Sequence, residues 1–441
     1  MPDKQRKSRA VPTSRISRFS RLGSLAATVT GSVLSGGAKT LLRGERPKLT
    51  DLVLTPANIE RIADQLASMR GAAMKIGQLI SIDDGEFLPP ELATILARLR
   101  DDADPMPKGQ LQQVLDSAWG EGWHDKLLYF SYAPIAAASI GQVHKAILMD
   151  GTMLAIKVQY PGIKKSINSD VDNVAGLIKL IGIIPESANI QPLLNEAKVQ
   201  LHAEANYQTE ANMLKRYAAC IDGLVDYQCP TIVEEWTTET VLAMTFQKGE
   251  PITALEQSSQ ALKNKMMTSL FALFFKEIFE FNLIQTDPNL ANYLVDIEDG
   301  YWVLLDFGAT RDFPASLSHA YLALIHAAHR QNDDALLQAA MQIGLVDSTA
   351  TEAQLSIILS MLKIACEPLH SKGGHNFANN DAAQRLQELG WTLSMEEAFW
   401  QAPPADAAFM HRKLGGLYLL AKRLGATVDL HALLTPYLAD T

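Results

Sequence analysis

Residues 285–295 read QTDPNLANYLV, and this stretch decides the class of fold. Asp287 and Asn292 lie five positions apart, and Asp306-Phe307-Gly308 follows after a short apolar hairpin. Carboxylate and amide oxygens are hard ligands that suit Mg²⁺, which commonly bridges the phosphates of a nucleotide. The pattern predicts Asn292 and Asp306 as metal ligands. It predicts Asp287 as the group that orients the attacking atom or accepts its proton.

A second motif, AAASIGQVH, occupies residues 136–144. Laid over the phosphate-covering loop G-x-G-x-x-G-x-V, Gly141 and Val143 match its third glycine and its valine. Ala136 and Ala138 replace the first two glycines, although glycine allows the closest backbone approach to phosphate. We interpret the stretch as a nucleotide-covering loop of reduced flexibility. The alternative is a turn that only packs against the preceding segment.

A strand lysine follows this loop, as it does in kinases. Residues 155–157 read Ala-Ile-Lys, and Lys157 is predicted to contact nucleotide phosphates when a helix carboxylate holds it. The next long helical segment carries Glu204 and Glu210, and either could serve. Each element is common alone, but the ordered series of loop, lysine, glutamate, D-x-x-x-x-N and D-F-G is specific.

Three features differ from an ordinary protein kinase. Gln285-Thr286 precede Asp287 where His-Arg is usual, and alanines replace loop glycines. No A-P-E follows the D-F-G, so the usual platform for peptide substrates is missing. The motifs therefore predict a kinase-type nucleotide site in a protein that is not an ordinary protein kinase.

Periodicity predicts the elements around these motifs. Asp150-Gly151 between two β-branched runs predicts a hairpin of strands 142–148 and 153–160. A second hairpin is predicted from TIVEEW and VLAMTF, residues 231–236 and 241–246, and a third around 293–305. Helices are predicted for most of the remaining chain, including 51–118, 163–184 and 190–220.

Charge is unevenly distributed along the 441-residue chain. Residues 1–50 carry eleven lysines and arginines against Asp3 and Glu45, a net charge of +9, whereas the whole chain carries −10. The acidic body argues against nucleic-acid binding, because it repels phosphate. The basic terminus predicts contact with an anionic membrane lipid surface. The alternatives are a flexible basic tail and an organelle transit peptide.

Residues 22–38 lack charge, but they are too short and too rich in Gly, Ser and Thr to qualify firmly as a transmembrane helix. A helix there would present small residues every four positions, which predicts a surface for homodimer contact. The chain has three cysteines and no C-x-x-C pair, which argues against a zinc site or a disulfide framework.

Together the motifs resemble the UbiB (AarF-domain) family of atypical kinases. Lys75-Ile76-Gly77-Gln78 matches its K-x-G-Q motif, and AAASIGQVH, AIKVQYPG and QTDPNLAN match further family motifs. The likeness runs from about Val11 to the C-terminus. INSDV at 167–171 resembles the branch tied to mitochondrial and proteobacterial coenzyme Q synthesis.

The resemblance implies an α+β, protein-kinase-like fold with a small β-rich N-lobe, a helical C-lobe and an N-terminal helical extension across the active site. The corresponding segments are a basic membrane-proximal segment (1–48), the extension (49–126), the N-lobe (127–247) and the C-lobe (248–441).

The resemblance also implies roles for individual residues toward Mg²⁺ and ATP. Lys75 is expected near Glu204 at the mouth of the active site. Lys157 is expected on the α- and β-phosphates, paired with Glu210. Asp287 takes the catalytic aspartate role, with Asn292 and Asp306 on metal. The residues expected to cover the nucleotide are Ala136, Ala137, Ala138, Ser139, Gly141 and Val143.

One departure from the family pattern is Glu204-Ala205-Asn206, where the family usually has E-x-D. The loss of one negative charge predicts a more weakly held extension, although Asn206 can still accept a hydrogen bond.

The predicted function is that of an atypical kinase or ATPase that binds Mg-ATP and supports ubiquinone biosynthesis at a membrane surface. Its expected partners are enzymes or intermediates of that pathway. The alternatives are a nucleotide-binding scaffold with little turnover and a kinase for a lipid or phenolic small molecule. The short stretch ahead of the first family motif favours a peripheral protein of the bacterial cytoplasm; the matrix face of the mitochondrial inner membrane is the alternative.

Overall fold

The computed structural model describes residues 58, 62, 66, 69–80, 105–181, 191–287, 289–371, 373–379, 381–397, 399, 401 and 403–438. Its α-helices are α1 (Arg70–Ile80), α2 (Lys108–Trp119), α3 (Ile163–Ile181), α4 (Gln191–Glu204), α5 (Tyr207–Ile221), α6 (Gln260–Lys276), α7 (Ala315–His329), α8 (Asp333–Ile343), α9 (Glu352–His370), α10 (Ala382–Trp391), α11 (Ala405–Leu424) and α12 (Leu430–Leu438).

The strands are short, and most belong to antiparallel pairs. They are β1 (Leu127–Phe130), β2 (Ala136–Ala137), β3 (Gly141–Leu148), β4 (Met153–Gln159), β5 (Tyr227–Gln228), β6 (Val241–Thr245), β7 (Glu250–Pro251), β8 (Leu283–Gln285), β9 (Tyr293–Asp296), β10 (Tyr301–Leu304), β11 (Thr310–Asp312), β12 (His375–Asn376) and β13 (Thr427–Val428).

The chain divides into two compact units. The first consists of the described part of Met1–Lys215 together with Pro230–Gln247, and the second of Arg216–Cys229 together with Lys248–Thr441. The mixture of an antiparallel sheet and helices agrees with the predicted α+β, kinase-like class, as the comparison below confirms.

The first unit is built on a sheet in the order β1-β3-β4-β6, with β2 paired to β3. The predicted hairpin of β3 and β4 is present, and Gly151 at its turn has a φ of +90°, which glycine adopts without strain. Apolar residues of one face pack against α2 in a core that includes Leu115, Ile156 and Trp236.

The predicted hairpin of 231–236 with 241–246 is only partly correct. β6 forms, but Glu234–Trp236 is a 3₁₀ turn, and Ile232 makes a single bridge to Met244. Trp236 is buried, and its ring meets Trp119 edge to face at 4.8 Å between ring centres. Burial of this large side chain outweighs the local β propensity of the segment.

The helix predicted over 190–220 is two helices, α4 and α5. Asn206 stands between them, and its side-chain oxygen accepts a hydrogen bond from the backbone N–H of Gln208 at 3.1 Å. An asparagine that satisfies an N–H of the first turn is an N-cap, so it begins a new helix instead of continuing the old one.

The second unit places two small sheets beside helices. β10 pairs with β9, which also pairs with β7, and β10 is parallel to β5; a separate ribbon joins β8 and β11. The hairpin predicted around 293–305 corresponds to β9 and β10. Trp302 is buried, and its indole N–H donates to the carbonyl of Met266 at 3.0 Å, which fixes β10 against α6.

Segment 1–48, including the predicted small-residue helix at 22–38, lies outside the described residues. Most of 49–104 does so as well. Among the helices that the structure describes, none combines the length and the apolar character needed to cross a bilayer.

Candidate active site

Lys157 and Glu210 form a buried ion pair within the first unit. The ammonium of Lys157 on β4 lies 2.8 and 3.0 Å from the two carboxylate oxygens of Glu210 in the first turn of α5. The two residues are 7% and 3% exposed. The same ammonium lies 5.3 Å from the centre of the Tyr207 ring, within cation–π range. The geometry therefore joins Lys157 to Glu210 and not to Glu204.

The alanine-rich stretch forms a tight antiparallel turn beside this pair. Ala136 pairs with Val143 in β3, and Val143 is in turn the cross-strand neighbour of Lys157. The backbone N–H of Ala138 donates to the carbonyl of Gly141 at 2.9 Å and closes the turn. Ala136 and Ala137 are exposed.

Gly141 is required by a close backbone approach. A Cβ built on Gly141 would lie 2.3 Å from the carbonyl oxygen of Val158 and 2.9 Å from the hydroxyl of Tyr207. A Cβ atom cannot lie 2.3 Å from a carbonyl oxygen, so packing within the sheet requires glycine at position 141. Gly141 is also the loop glycine that this chain keeps.

The helix bearing the K-x-G-Q motif is linked to the same turn through Glu204, which binds both Lys75 and Ser139. The ammonium of Lys75 lies 2.5 Å from Oε1 of Glu204, and the hydroxyl of Ser139 donates to Oε2 of the same carboxylate at 3.1 Å. A Cβ on Gly71 would come within 2.8 Å of Ile140, so α1 lies directly against the turn. Within the described part of the extension and its partner Glu204, the turn is held through Ser139 and Ile140.

Asp287 and Asn292 contact each other within the second unit. The side-chain N–H of Asn292 donates to Oδ2 of Asp287 at 2.9 Å. Oδ1 of Asp287 accepts the backbone N–H of Asn289 at 3.2 Å, which fixes the carboxylate at the start of a 3₁₀ turn, Leu290–Asn292. The hydrogen bond between the two side chains of the D-x-x-x-x-N motif thus closes the loop on itself.

Asp306 lies beside this loop. The backbone N–H of Leu305 donates to the carbonyl of Asn292 at 2.9 Å, and that of Thr286 donates to the carbonyl of Ala309 at 3.2 Å. Oδ1 of Asp306 accepts the backbone N–H of Gly308 at 2.9 Å. The structure therefore brings the predicted Asp287, Asn292 and Asp306 to neighbouring backbone segments.

Comparison with known proteins identifies the family of the chain. Residues 98–340 match the model of the ABC1 atypical kinase-like domain, which is more than half of the chain. The chain belongs to this family. The family and the enzyme class predicted from the motifs, an atypical kinase, are therefore confirmed.

Similar ABC1 proteins match over nearly the whole chain. The rat atypical kinase COQ8B, a mitochondrial protein, is 36% identical over 95% of this chain and 80% of its own length. The mitochondrial atypical kinase COQ8 of Saccharomyces cerevisiae is 34% identical over 96% of this chain and 84% of its own.

A solved structure of the Rv3197–erythromycin complex from Mycobacterium tuberculosis shares the fold. Its TM-score is 0.61 at 24% identity, over 87% of this chain and 97% of that one. This confirms the kinase-like fold class.

Asn206, which stands where the family usually has aspartate, has a structural role in this chain. Asn206 caps α5 through the bond to Gln208, and its carbonyl accepts the N–H of Thr209 at 3.0 Å. Glu204 alone provides the carboxylate for Lys75 among the contacts described above. Asn206 thus supports the first turn of α5, where Glu210 stands, rather than the extension.

The side chains predicted to hold the metal, one carboxylate and one amide, offer the oxygen ligands that magnesium prefers. Within the described ranges, no group of three or more His, Cys, Asp or Glu side chains could hold a metal ion. Mg²⁺ commonly takes one or two protein oxygens and completes its shell with water and nucleotide phosphates. The oxygens of Asp306 and Asn292 meet that requirement.

Sequence reasoning missed a group of buried polar residues that packs behind the Asp287 loop. Its centre is Glu277, which is 0% exposed and begins a π-helical turn after α6. The available signal was a charged residue inside the strongly apolar run FALFFKEIFEF. Two of its partners, Tyr217 and Lys413, are distant in sequence and gave no signal. The third is the backbone N–H of Gln285, eight positions further along the chain.

Proposed function

We propose that this ABC1 protein uses Mg-ATP for phosphoryl transfer or hydrolysis, with Lys157 as the phosphate-contacting residue. The observation that carries the proposal is the buried ion pair of Lys157 and Glu210. Burial of a lysine is costly unless a carboxylate is positioned to pair with it. A lysine held this way on a strand beside a tight turn is the arrangement that kinases use on the α- and β-phosphates.

In this proposal each group has a separate task. Glu210 orients Lys157, and residues 136–141 with Val143 cover the nucleotide. Asn292 and Asp306 hold Mg²⁺, which when bound neutralises phosphate charge. Asp287 orients the attacking hydroxyl or water and takes up its proton. The hydrogen bond from Asn292 supports this task, because it holds the Asp287 carboxylate in one orientation.

We assign Lys75 and Glu204 to restricting what reaches the nucleotide. Their ion pair, with Ser139, ties the K-x-G-Q helix to the turn that covers the phosphates. Together with the missing A-P-E segment, this tie favours water or a small molecule over a protein as the phosphoryl acceptor.

The biological setting that family membership supports is ubiquinone biosynthesis at a membrane surface. Two of the relatives carry mitochondrial COQ8 names. The charge of +9 within residues 1–50 favours peripheral binding to anionic lipid. We place the chain at the cytoplasmic face of a bacterial membrane, with the mitochondrial matrix face as the alternative, and we expect its partners to be enzymes or intermediates of quinone synthesis.

Quinone profiling tests the whole proposal. In a strain that lacks its own copy, the wild-type chain should restore ubiquinone, and Asp306→Asn should not. Asp299→Asn is the matched control, because it makes the same chemical change in an exposed turn. Restoration by Asp306→Asn would contradict the proposal. Labelled phosphate in the lipid extract would favour the alternative of a small-molecule kinase. ATP binding without turnover would favour the alternative of a nucleotide-binding scaffold.

A further inference from the structure

The residues immediately before Asp287 are held by a helix that the motifs do not include. Helix α11 carries Arg412 and Lys413, which are 7% and 3% exposed. It lies beyond residues 98–340, the part of the chain that the family model matches. Two adjacent cations are rarely buried without a structural or functional reason.

Lys413 acts through Glu277. Its ammonium pairs with Oε2 of Glu277, while Oε1 accepts the hydroxyl of Tyr217 at 2.8 Å and the backbone N–H of Gln285 at 3.1 Å. Burial and the nearby Glu277 charge raise the pKa of Tyr217 well above its usual value, so its hydroxyl stays a donor. A single carboxylate thus joins α11, α5 and the last residue of β8.

Arg412 binds Thr286, the residue after Gln285, directly. Its guanidinium donates to the carbonyl of Thr286 at 3.2 Å and lies 5.2 Å from the centre of the Phe409 ring, which supports it within cation–π range. Two adjacent residues of α11 therefore hold two adjacent residues of the loop. Arg412 binds Thr286 directly, and Lys413 binds Gln285 through Glu277.

Gln285 and Thr286 are also bonded to the segment 306–309, which contains the proposed metal ligand Asp306. The side chain of Gln285 donates to the carbonyl of Asp306 at 3.4 Å and accepts the hydroxyl of Tyr293 at 3.1 Å. The hydroxyl of Thr286 donates to the carbonyl of Ala309 at 2.8 Å. A shift of Gln285-Thr286 would consequently move Asp287 and Asp306 together.

We propose that Arg412 and Lys413 are positioning residues for phosphoryl transfer. They hold the Gln285-Thr286 backbone, so that Asp287 keeps its reacting geometry. In this chain Gln285-Thr286 stand where His-Arg is usual, and α11 supplies from outside the loop the cations that the loop itself lacks. The inference rests on the proposed Mg-ATP chemistry.

The test compares steady-state ATP turnover across variants of α11. Arg412→Met removes the donor to Thr286 and keeps the side-chain bulk, and Arg412→Lys keeps a cation. The double variant Glu277→Gln/Lys413→Met removes the ion pair without leaving one charge buried. Lys422→Met/Arg423→Met is the matched control, because it neutralises an exposed Lys-Arg pair ten positions further along the same helix.

Positioning predicts a split between the kinetic constants. Arg412→Met and the double variant should lower kcat by about 10- to 100-fold, as small misplacements of a catalytic group do, with KM for ATP within about twofold of wild type. Arg412→Lys should recover part of kcat, and the control should match wild type. A lower melting temperature with unchanged kcat per folded molecule would overturn the proposal in favour of a purely structural role.

Hydrogen exchange of residues 283–292 provides the second readout. Their amides should exchange faster in Arg412→Met and in the double variant than in wild type or the control. Unchanged exchange would overturn the proposal even if turnover fell. Should the wild-type chain show no Mg-ATP turnover, the proposed function fails, and the exchange rates still decide whether α11 holds the loop.

Discussion

Two buried lysine–glutamate pairs, one in each unit, carry the same charges and serve different ends. In the first, both oxygens of Glu210 bond to the ammonium of Lys157. In the second, Glu277 divides its oxygens among Lys413, a tyrosine hydroxyl and a backbone N–H. A carboxylate that holds one lysine with both oxygens orients that lysine for another ligand, whereas a carboxylate that bonds three separate elements ties those elements together. Bond pattern, rather than burial, distinguishes the two roles.

The largest effect is expected at Asp306, the carboxylate that we propose as a metal ligand. Asp306→Asn replaces an ionised ligand with a neutral one and should lower Mg-dependent ATP turnover by about 100-fold or more, with little change in melting temperature. Steady-state assays with Asp299→Asn as the control measure the loss. Wild-type turnover by purified Asp306→Asn would remove Asp306 from the site.

The second prediction concerns the first ion pair. Lys157→Ala and Glu210→Ala should each lower kcat/KM for ATP by about 10- to 100-fold, and the double variant should be little worse, because one loss already disables the pair. A double-mutant cycle measures this coupling. Strictly additive losses would show that Glu210 does not serve Lys157 in catalysis.

The first pair was open to prediction because its members belong to an ordered series of motifs. Glu277 and Lys413 are 136 positions apart, and no local pattern links them. Pairing at that separation depends on how α6 and α11 pack, which periodicity does not specify. The same limit explains Trp236, whose burial against Trp119 replaced an expected strand with a 3₁₀ turn.

Asn206 shows a second limit of prediction from the sequence. The helical pattern over 190–220 has no obvious break and predicts one helix. The N-cap bond to Gln208 breaks it in two and sets the first turn of α5, in which Glu210 stands. By contrast, Asp150-Gly151 predicted the turn of β3 and β4 correctly, because a positive φ at Gly151 is a strictly local requirement.

A smaller effect is expected at the turn beside the first pair. Ala138→Gly should tighten ATP binding by about two- to fivefold, because glycine lacks the methyl group that limits how closely the turn approaches phosphate. The melting temperature should hardly change, since Ser139 and Ile140 make the contacts with the extension. Nucleotide titration and thermal melts decide: unchanged ATP affinity with a lower melting temperature would favour a packing role.

The smallest effect concerns one histidine from each unit, His144, which is buried, and His411, which is partly buried. Burial lowers the pKa of His144 to about 4 and that of His411 to about 4. The unfolded chain therefore binds more protons between pH 6.5 and about 4, and stability must fall as the pH falls through that window. Each histidine should cost about 1 kcal/mol between pH 7 and 5.5.

Urea unfolding at the two pH values measures this cost. His144→Gln should reduce the pH dependence, and exposed His124→Gln should leave it unchanged. An undiminished pH dependence in His144→Gln would show that His144 is not a source of the acid sensitivity.

The most direct test of the contrast between the two pairs is the equilibrium affinity for Mg-ATP of two matched double variants. Glu210→Gln/Lys157→Met and Glu277→Gln/Lys413→Met each remove one buried positive and one buried negative charge. The first variant should weaken Mg-ATP binding about tenfold or more, because it loses one charged phosphate contact. The second should leave the dissociation constant within about twofold of wild type. Equal losses in both variants, or a loss only in the second, would show that the two pairs do not have these separate roles.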